Sequence, residues 1–244
     1  MTEEVVVQGP LRAGSPLRTP RAAAVAGIIF SVLLITALVL LRVSVPAHPA
    51  VPGAWLTDSR RRATVAIALN LIPFAGIAFL WFVGVVRDRI GEREDRFFAT
   101  VFLGSGLLFV GMLFVGAAVA GGLIAGQTQS GPPAGGILAL GRHVTTLLLN
   151  VYAMRMAAVF TLTTVTIARH TRIVARWLTF AGLAIALVLL IGAGTVAWIE
   201  LLFPAWILAL SVDILVSRSR ASAGGSPARP GLTRPTGGAA TGPG

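Results

Sequence analysis

The chain contains no cysteine and no lysine. Without cysteine there is no disulfide framework, no thiolate metal site and no Cys nucleophile. Without lysine there is no phosphate loop, which needs Gly-Lys-Ser/Thr. Charge is also scarce: 12% of the 244 residues are charged, about half of the roughly 25% usual in a soluble domain. The three histidines, His48, His143 and His170, are dispersed, with no HExxH and no i,i+4 pair, so a His-based metal centre is not indicated and no cofactor is implied. Gly104-Ser105-Gly106 is followed by Leu107, Leu108 and Phe109, which lacks the third glycine of a dinucleotide fingerprint. Neither Asn70 nor Asn150 has Ser or Thr two positions on, so there is no glycosylation acceptor.

Apolar residues fill the space left by charge. The AVILMFWYC set makes up 55% of the chain and mean hydropathy is +0.84. Hydrophobic runs of about 20 residues separated by short polar linkers are membrane spans, so soluble-enzyme, collagen-like and disulfide-scaffold classes are excluded. The formal charge of +11 is carried entirely by arginine. In a soluble protein it would point to nucleic acid; between apolar runs it sets topology, so the expected partner is the lipid bilayer and not nucleic acid. Exclusive arginine with heavy Ala, Gly, Val and Pro usage reads as the codon bias of a G+C-rich genome, which points to a bacterium.

The pattern predicts an all-α protein with six transmembrane helices at residues 22–41, 63–86, 97–120, 144–167, 177–193 and 198–216. Residues 1–21 and 217–244, rich in Gly, Pro and Ser with no apolar periodicity, are predicted to be disordered cytoplasmic tails. The first run has 20 uncharged residues, longer than a signal-peptide core, and is read as a retained span. The linker from Arg42 to Arg62 holds Pro46, Pro49, Pro52 and Gly53, with Asp58 and Ser59 placed to cap the next helix. A second Gly/Pro-rich linker is predicted from Gly121 to His143. The nearly uncharged run from Trp177 to Val216 would rise about 60 Å as one helix, twice the hydrocarbon thickness, so it must turn back, and Gly192-Ala193-Gly194-Thr195 is the natural place.

Six spans put both termini on one side. Fourteen arginines fall on that side and five on the other, with Arg155 inside a span, so both termini are predicted to be cytoplasmic. The Arg60-Arg61-Arg62 run alone opposes this. Trp55, Trp81, Trp177 and Trp198 are expected at span ends, as an aromatic belt requires.

Polar groups inside spans are the candidate functional residues, because lipid makes them costly. Arg155 is the twelfth of the 24 residues 144–167, close to mid-membrane. Such an arginine costs roughly 2.5 to 3.5 kcal/mol, which neighbouring Leu, Val and Ile can offset. The guanidinium nevertheless needs a partner. Asn70 and Glu200 are the candidates at comparable depth, and Tyr152, three residues earlier on the same helix face, can orient it. The alternatives are an interhelical polar clasp or a snorkelling arginine on one side, and a substrate or ion site on the other. Pro73 and Pro204 are expected to bend their helices, and Asp213 to pair with Arg218 or another loop arginine. A second candidate is the cytoplasmic charged hairpin Arg87, Asp88, Arg89, Glu92, Arg93, Glu94, Asp95 and Arg96, either a self-neutralised solvated turn or a docking surface. In the third span Gly106, Gly111, Gly116 and Gly121 recur every five residues, which permits close helix packing.

ALNLIPFAGIAFLWFVGVVRDRIGEREDRFFATVFLGSGLLF, beginning at Ala68, together with NVYAMRMAAVF around Arg155, resembles a group of uncharacterised multi-span membrane proteins of high-GC bacteria. The resemblance covers well under half of the chain. It implies that the charged hairpin and the Arg155 segment belong to one module, and it brings no activity.

The functional expectation is a non-enzymatic bundle or accessory subunit in the bacterial inner membrane, with a second copy or another membrane protein as partner. A small transporter or channel in which Arg155 contacts an anionic solute is the alternative. No inverted repeat relates the first three spans to the last three, and Glu200 and Asp213 are the only acidic groups within spans.

Overall fold

The computed structural model describes residues 19–45, 58–90, 96–130, 135–171, 175–195 and 198–223. Among these there is no strand. The helices are α1 (Thr19–Ser44), α2 (Ser59–Ile90), α3 (Arg96–Ser130), α4 (Gly135–Thr146), α5 (Ala153–Thr171), α6 (Arg176–Gly192) and α7 (Leu202–Ala223). A π-helical segment, Leu147–Tyr152, joins α4 to α5, and a 3₁₀ turn, Ile199–Leu201, leads into α7. The protein is an all-α membrane bundle. Five stretches are long and apolar enough to cross a membrane: Arg21–Ser44, Ser59–Arg87, Phe97–Gly126, Gly136–Arg169 and Ile199–Val216. The sixth, α6, has 17 residues, about 26 Å, slightly short of a hydrocarbon core of about 30 Å. The predicted tails lie outside the described residues except for the first turn of α1 and the last turns of α7.

Two expectations about local structure change. The Gly/Pro linker predicted from Gly121 to His143 is largely helical, because α3 continues to Ser130 and α4 starts at Gly135. In lipid the helix is kept by the need to satisfy its backbone groups internally. Gly121, Gly122, Gly126 and Gly136 have open space around them, whereas a side chain at Gly141 would run into Leu123 and one at Gly116 into Leu149. The α3/α4 hairpin is thus held by close glycine–leucine packing, as membrane helices are. Pro204, expected to kink the last span, sits in the first turn of α7, where its missing N–H has no intrahelical acceptor to lose. Pro73 lies inside the continuous α2.

Elsewhere the local signals act as read. Asp58 caps α2 by accepting hydrogen bonds from the backbone N–H groups of Arg60 (2.9 Å) and Arg61 (3.3 Å). The last long run turns back where the glycines are: α6 ends at Gly192, Gly194 has φ +84° and Trp198 φ 71°.

The helices form a closed ring. Each packs on its neighbours in sequence, α3 meeting α5 directly, and α7 returns to lie against α1. Phenylalanine fills the middle. The rings of Phe30 (α1), Phe79 (α2), Phe109 (α3) and Phe203 (α7) all lie within 4.7–6.2 Å of one another, centroid to centroid. Phe160 of α5 joins through Phe79 at 5.0 Å and carries Phe102 at 4.6 Å. All six are fully buried. Most of the pairs are tilted or edge-to-face, the arrangement that the ring quadrupole favours by about 0.5–1.5 kcal/mol per pair. Gly106 makes room for the Phe160 ring, which would touch any Cβ there at 3.3 Å.

Candidate functional site

The ring cluster gives a level from which depth can be counted. Arg21 precedes Phe30 by nine residues, Arg87 follows Phe79 by eight, and Arg169 follows Phe160 by nine. At 1.5 Å per residue these charges lie about 12–14 Å along their helices to one side, the side where the apolar stretches end in arginine. A core of about 30 Å then ends about 17 Å to the other side. Arg42, twelve residues after Phe30, has its Cα at about 18 Å, close to that second boundary.

Within this slab the candidate polar residues do not converge. Glu200 is three residues from Phe203 and therefore near mid-membrane, but its carboxylate is held by Arg42 rather than Arg155. Nη2 of Arg42 lies 2.7 Å from Oε1 of Glu200, and the two side chains are 26% and 8% exposed. The correction follows from the α6–α7 turn, which brings Glu200 under the end of α1, where Arg42 can reach back into the bundle and also stack over Trp198 at 5.9 Å. Arg42 in the last turn of α1 complements that helix's C-terminal dipole as well.

Asn70 is exposed and donates from Nδ2 to the Ala66 carbonyl of its own helix at 2.8 Å. Tyr152 is half exposed at the end of the π segment. Arg155 is exposed, and no ion pair or side-chain hydrogen bond joins it to another described residue. It faces outward from the ring, because the opposite side of α5 is committed to the core through Ala153, Ala157, Phe160 and Thr164. Of the charged hairpin only the Arg87 side chain is described, and it is exposed; the side chains of Asp88, Arg89, Glu92, Arg93, Glu94, Asp95 and Arg96 lie outside the described residues. So does that of Arg218, the expected partner of Asp213.

The chain matches no family model, no curated protein and no solved structure.

Other features were invisible in the sequence reading. On the outside of the ring, α1 and α2 enclose an apolar groove of about 500 Å³ lined by Ala26, Ile29, Leu33, Phe74, Ile77 and Trp81 among others. Trp81 is 70% exposed and only two residues from Phe79, so it sits at the level of the ring cluster and not at a span end. Inside the bundle, the hydroxyls of Thr161, Thr163 and Thr164 return to their own helix, donating to the carbonyls of Ala157, Val159 and Phe160. Trp206 Nε1 of α7 donates to the Leu178 carbonyl of α6 at 3.1 Å. Of these bonds only that of Trp206 fastens one helix to another; the threonine hydroxyls satisfy themselves within α5. Most of the described polar groups close bonds within the bundle or face outward; the hydroxyls of Thr145 and Ser211 are buried without a hydrogen-bond partner among the described residues.

Proposed function

We propose that the protein is a non-conducting, non-enzymatic bundle that works through the faces it presents to lipid and to other membrane components, as an accessory or interaction subunit. The observation that supports this is the phenylalanine cluster. Five of the helices meeting in the ring contribute rings to one buried group, so mid-membrane is filled by side chains where a conduit would need polar or open space. An acid–base pair finds no support either: Glu200 is engaged by Arg42, and Asp213, ten residues past Phe203, lies about 15 Å on the opposite side of the ring level. The arginine distribution favours cytoplasmic termini in a bacterial inner membrane. The resemblance to uncharacterised multi-span proteins of high-GC bacteria is compatible with this reading and adds no activity to it.

The transporter reading, with Arg155 contacting an anion, is tested by the same experiment. Purified protein in liposomes should give no uptake of a panel of inorganic and organic anions above protein-free vesicles. Saturable flux that is lost in Arg155→Leu would replace the present reading with transport.

A further inference from the structure

Arg155 presents a guanidinium to the lipid without a partner among the described residues. Its Cα is five residues from Phe160, about 7.5 Å from it toward the Arg42 end of the bundle. Because Phe160 packs beside Gly106, three residues nearer the Arg169 end than Phe109, Arg155 starts close to mid-membrane, more than about 10 Å beneath the level of Arg42 and the boundary close to it. Helical side chains lean toward the helix N-terminus, and the N-terminus of α5 points to that same boundary. An extended arginine reaches about 6 to 7 Å in that direction, as snorkelling side chains do. The guanidinium is thus carried from mid-membrane toward the headgroups of that leaflet, and a phosphate drawn inward by local thinning of the bilayer closes the remaining distance. Tyr152 is one turn nearer the boundary on the same face, about 4.5 Å higher, so its phenol lies on the headgroup side of the guanidinium. The remainder of this face, Val159 and Leu162, is apolar, so the two polar heads are isolated together, one above the other.

Among the described residues, a second copy of the chain supplies no counter-charge there: the acids within the spans are Glu200, already bonded to Arg42, and Asp213, which is at the wrong depth.

We propose that Arg155 and Tyr152 form a binding site for the phosphate of a phospholipid in the leaflet at the Arg42 end of the bundle. The guanidinium fork takes two phosphate oxygens, a geometry that a single ammonium does not reproduce. The phenol donates to a third acceptor, and the acyl chains lie along Val159 and Leu162. This site is independent of the accessory-subunit reading, since a bundle of any activity could hold the lipid.

The test uses full-length protein, delipidated in neutral detergent, with melting temperature followed as lipid is added back. Phosphatidylglycerol should raise the melting temperature, whereas diacylglycerol with the same chains should not, and inorganic phosphate alone should not. Arg155→Gln should weaken the response about tenfold in half-saturating lipid, the loss of one charge-assisted contact. Arg155→Lys and Tyr152→Phe should fall between, and native mass spectrometry should show fewer retained phospholipids in the same order. If Arg155→Gln does not fold, the two milder variants still decide: unchanged lipid response in both overturns the site. Equal responses to diacylglycerol and phosphatidylglycerol overturn it too, and a full response to inorganic phosphate overturns the lipid source. A photo-crosslinker at Leu162 that captures one membrane protein in native membranes, with capture lost in Arg155→Gln, would assign the guanidinium to a carboxylate on a partner helix instead.

Discussion

The guanidinium of Arg42 and the carboxylate of Glu200 meet at 2.7 Å across the junction between the end of α1 and the start of α7. They are 158 residues apart in sequence, so the pair closes the ring at the point where its first and last helices come together. Glu200 is nearly buried and Arg42 is a quarter exposed, which places the pair between the surface case, worth under about 1 kcal/mol, and the buried case, where removing one partner costs about 3–5 kcal/mol.

Glu200→Gln should therefore destabilise the protein by about 2 kcal/mol, and the Arg42/Glu200 double-mutant cycle should show coupling of at least about 1 kcal/mol. The Arg155/Glu200 cycle should show none. Reversible unfolding in mixed micelles measures both. Zero coupling in the first cycle would remove the ring-closing pair from the account.

Phe203 touches rings from four other helices. In lipid the transfer part of its burial largely vanishes, because the alternative environment is also apolar, and the cavity remains. Phe203→Ala leaves roughly 100 Å³, which at about 24 cal/mol per Å³ costs about 2–3 kcal/mol. A loss below about 0.5 kcal/mol, measured in the same micelles, would mean that the bundle collapses to refill the space.

Glycines on one helix should separate into two classes. A Cβ at Gly116 would stand 2.7 Å from Leu149, whereas at Gly111 there is nothing within 4 Å. Gly116→Ala should lower the melting temperature, and Gly111→Ala should leave it unchanged or raise it slightly, since alanine is the better helix former by about 1 kcal/mol. The same contrast holds between Gly27, where a Cβ would collide with Ser211 Oγ, and Gly84, which is open.

Orientation is accessible because the chain has no native cysteine. A single cysteine at Ser130 should react with an impermeant thiol reagent in intact cells, and one at Gly91 only after permeabilisation. Labelling at Gly91 in intact cells would reverse the topology.

The sequence made the spans legible because lipid imposes a length and a polarity on each one. The turn at Gly192 to Thr195 was readable for the same reason, since no helix of about 40 residues fits one crossing. Glu200's partner was not readable. Arg42 appeared as a linker residue, and nothing local shows that α7 returns to α1. The phenylalanine cluster was hidden likewise, because Phe30, Phe79, Phe109, Phe160 and Phe203 are each ordinary in a hydrophobic run and acquire meaning only through their shared level. The stretch from Gly121 to Ser130 is helical although Gly121, Gly122 and Gly126 have open space around them; it continues an apolar helix whose backbone groups must be satisfied internally in lipid, a constraint that glycine's linker signal in water does not carry. Arg155 was found, but burial alone reveals that it faces outward.

Because the end of α1 meets the start of α7, the start of α1 and the end of α7 lie at the same end of the ring, on adjacent helices. The circuit of helices therefore has no intrinsic beginning: where the chain opens is a matter of which connection is left unmade. Joining residue 223 to residue 19 by a linker and cutting at 131–134 would yield a circular permutant that keeps every helix contact of the native chain, including Arg42 with Glu200, now much closer along the chain. The present order of the spans would then be a record of synthesis and insertion, separable from the packing that results.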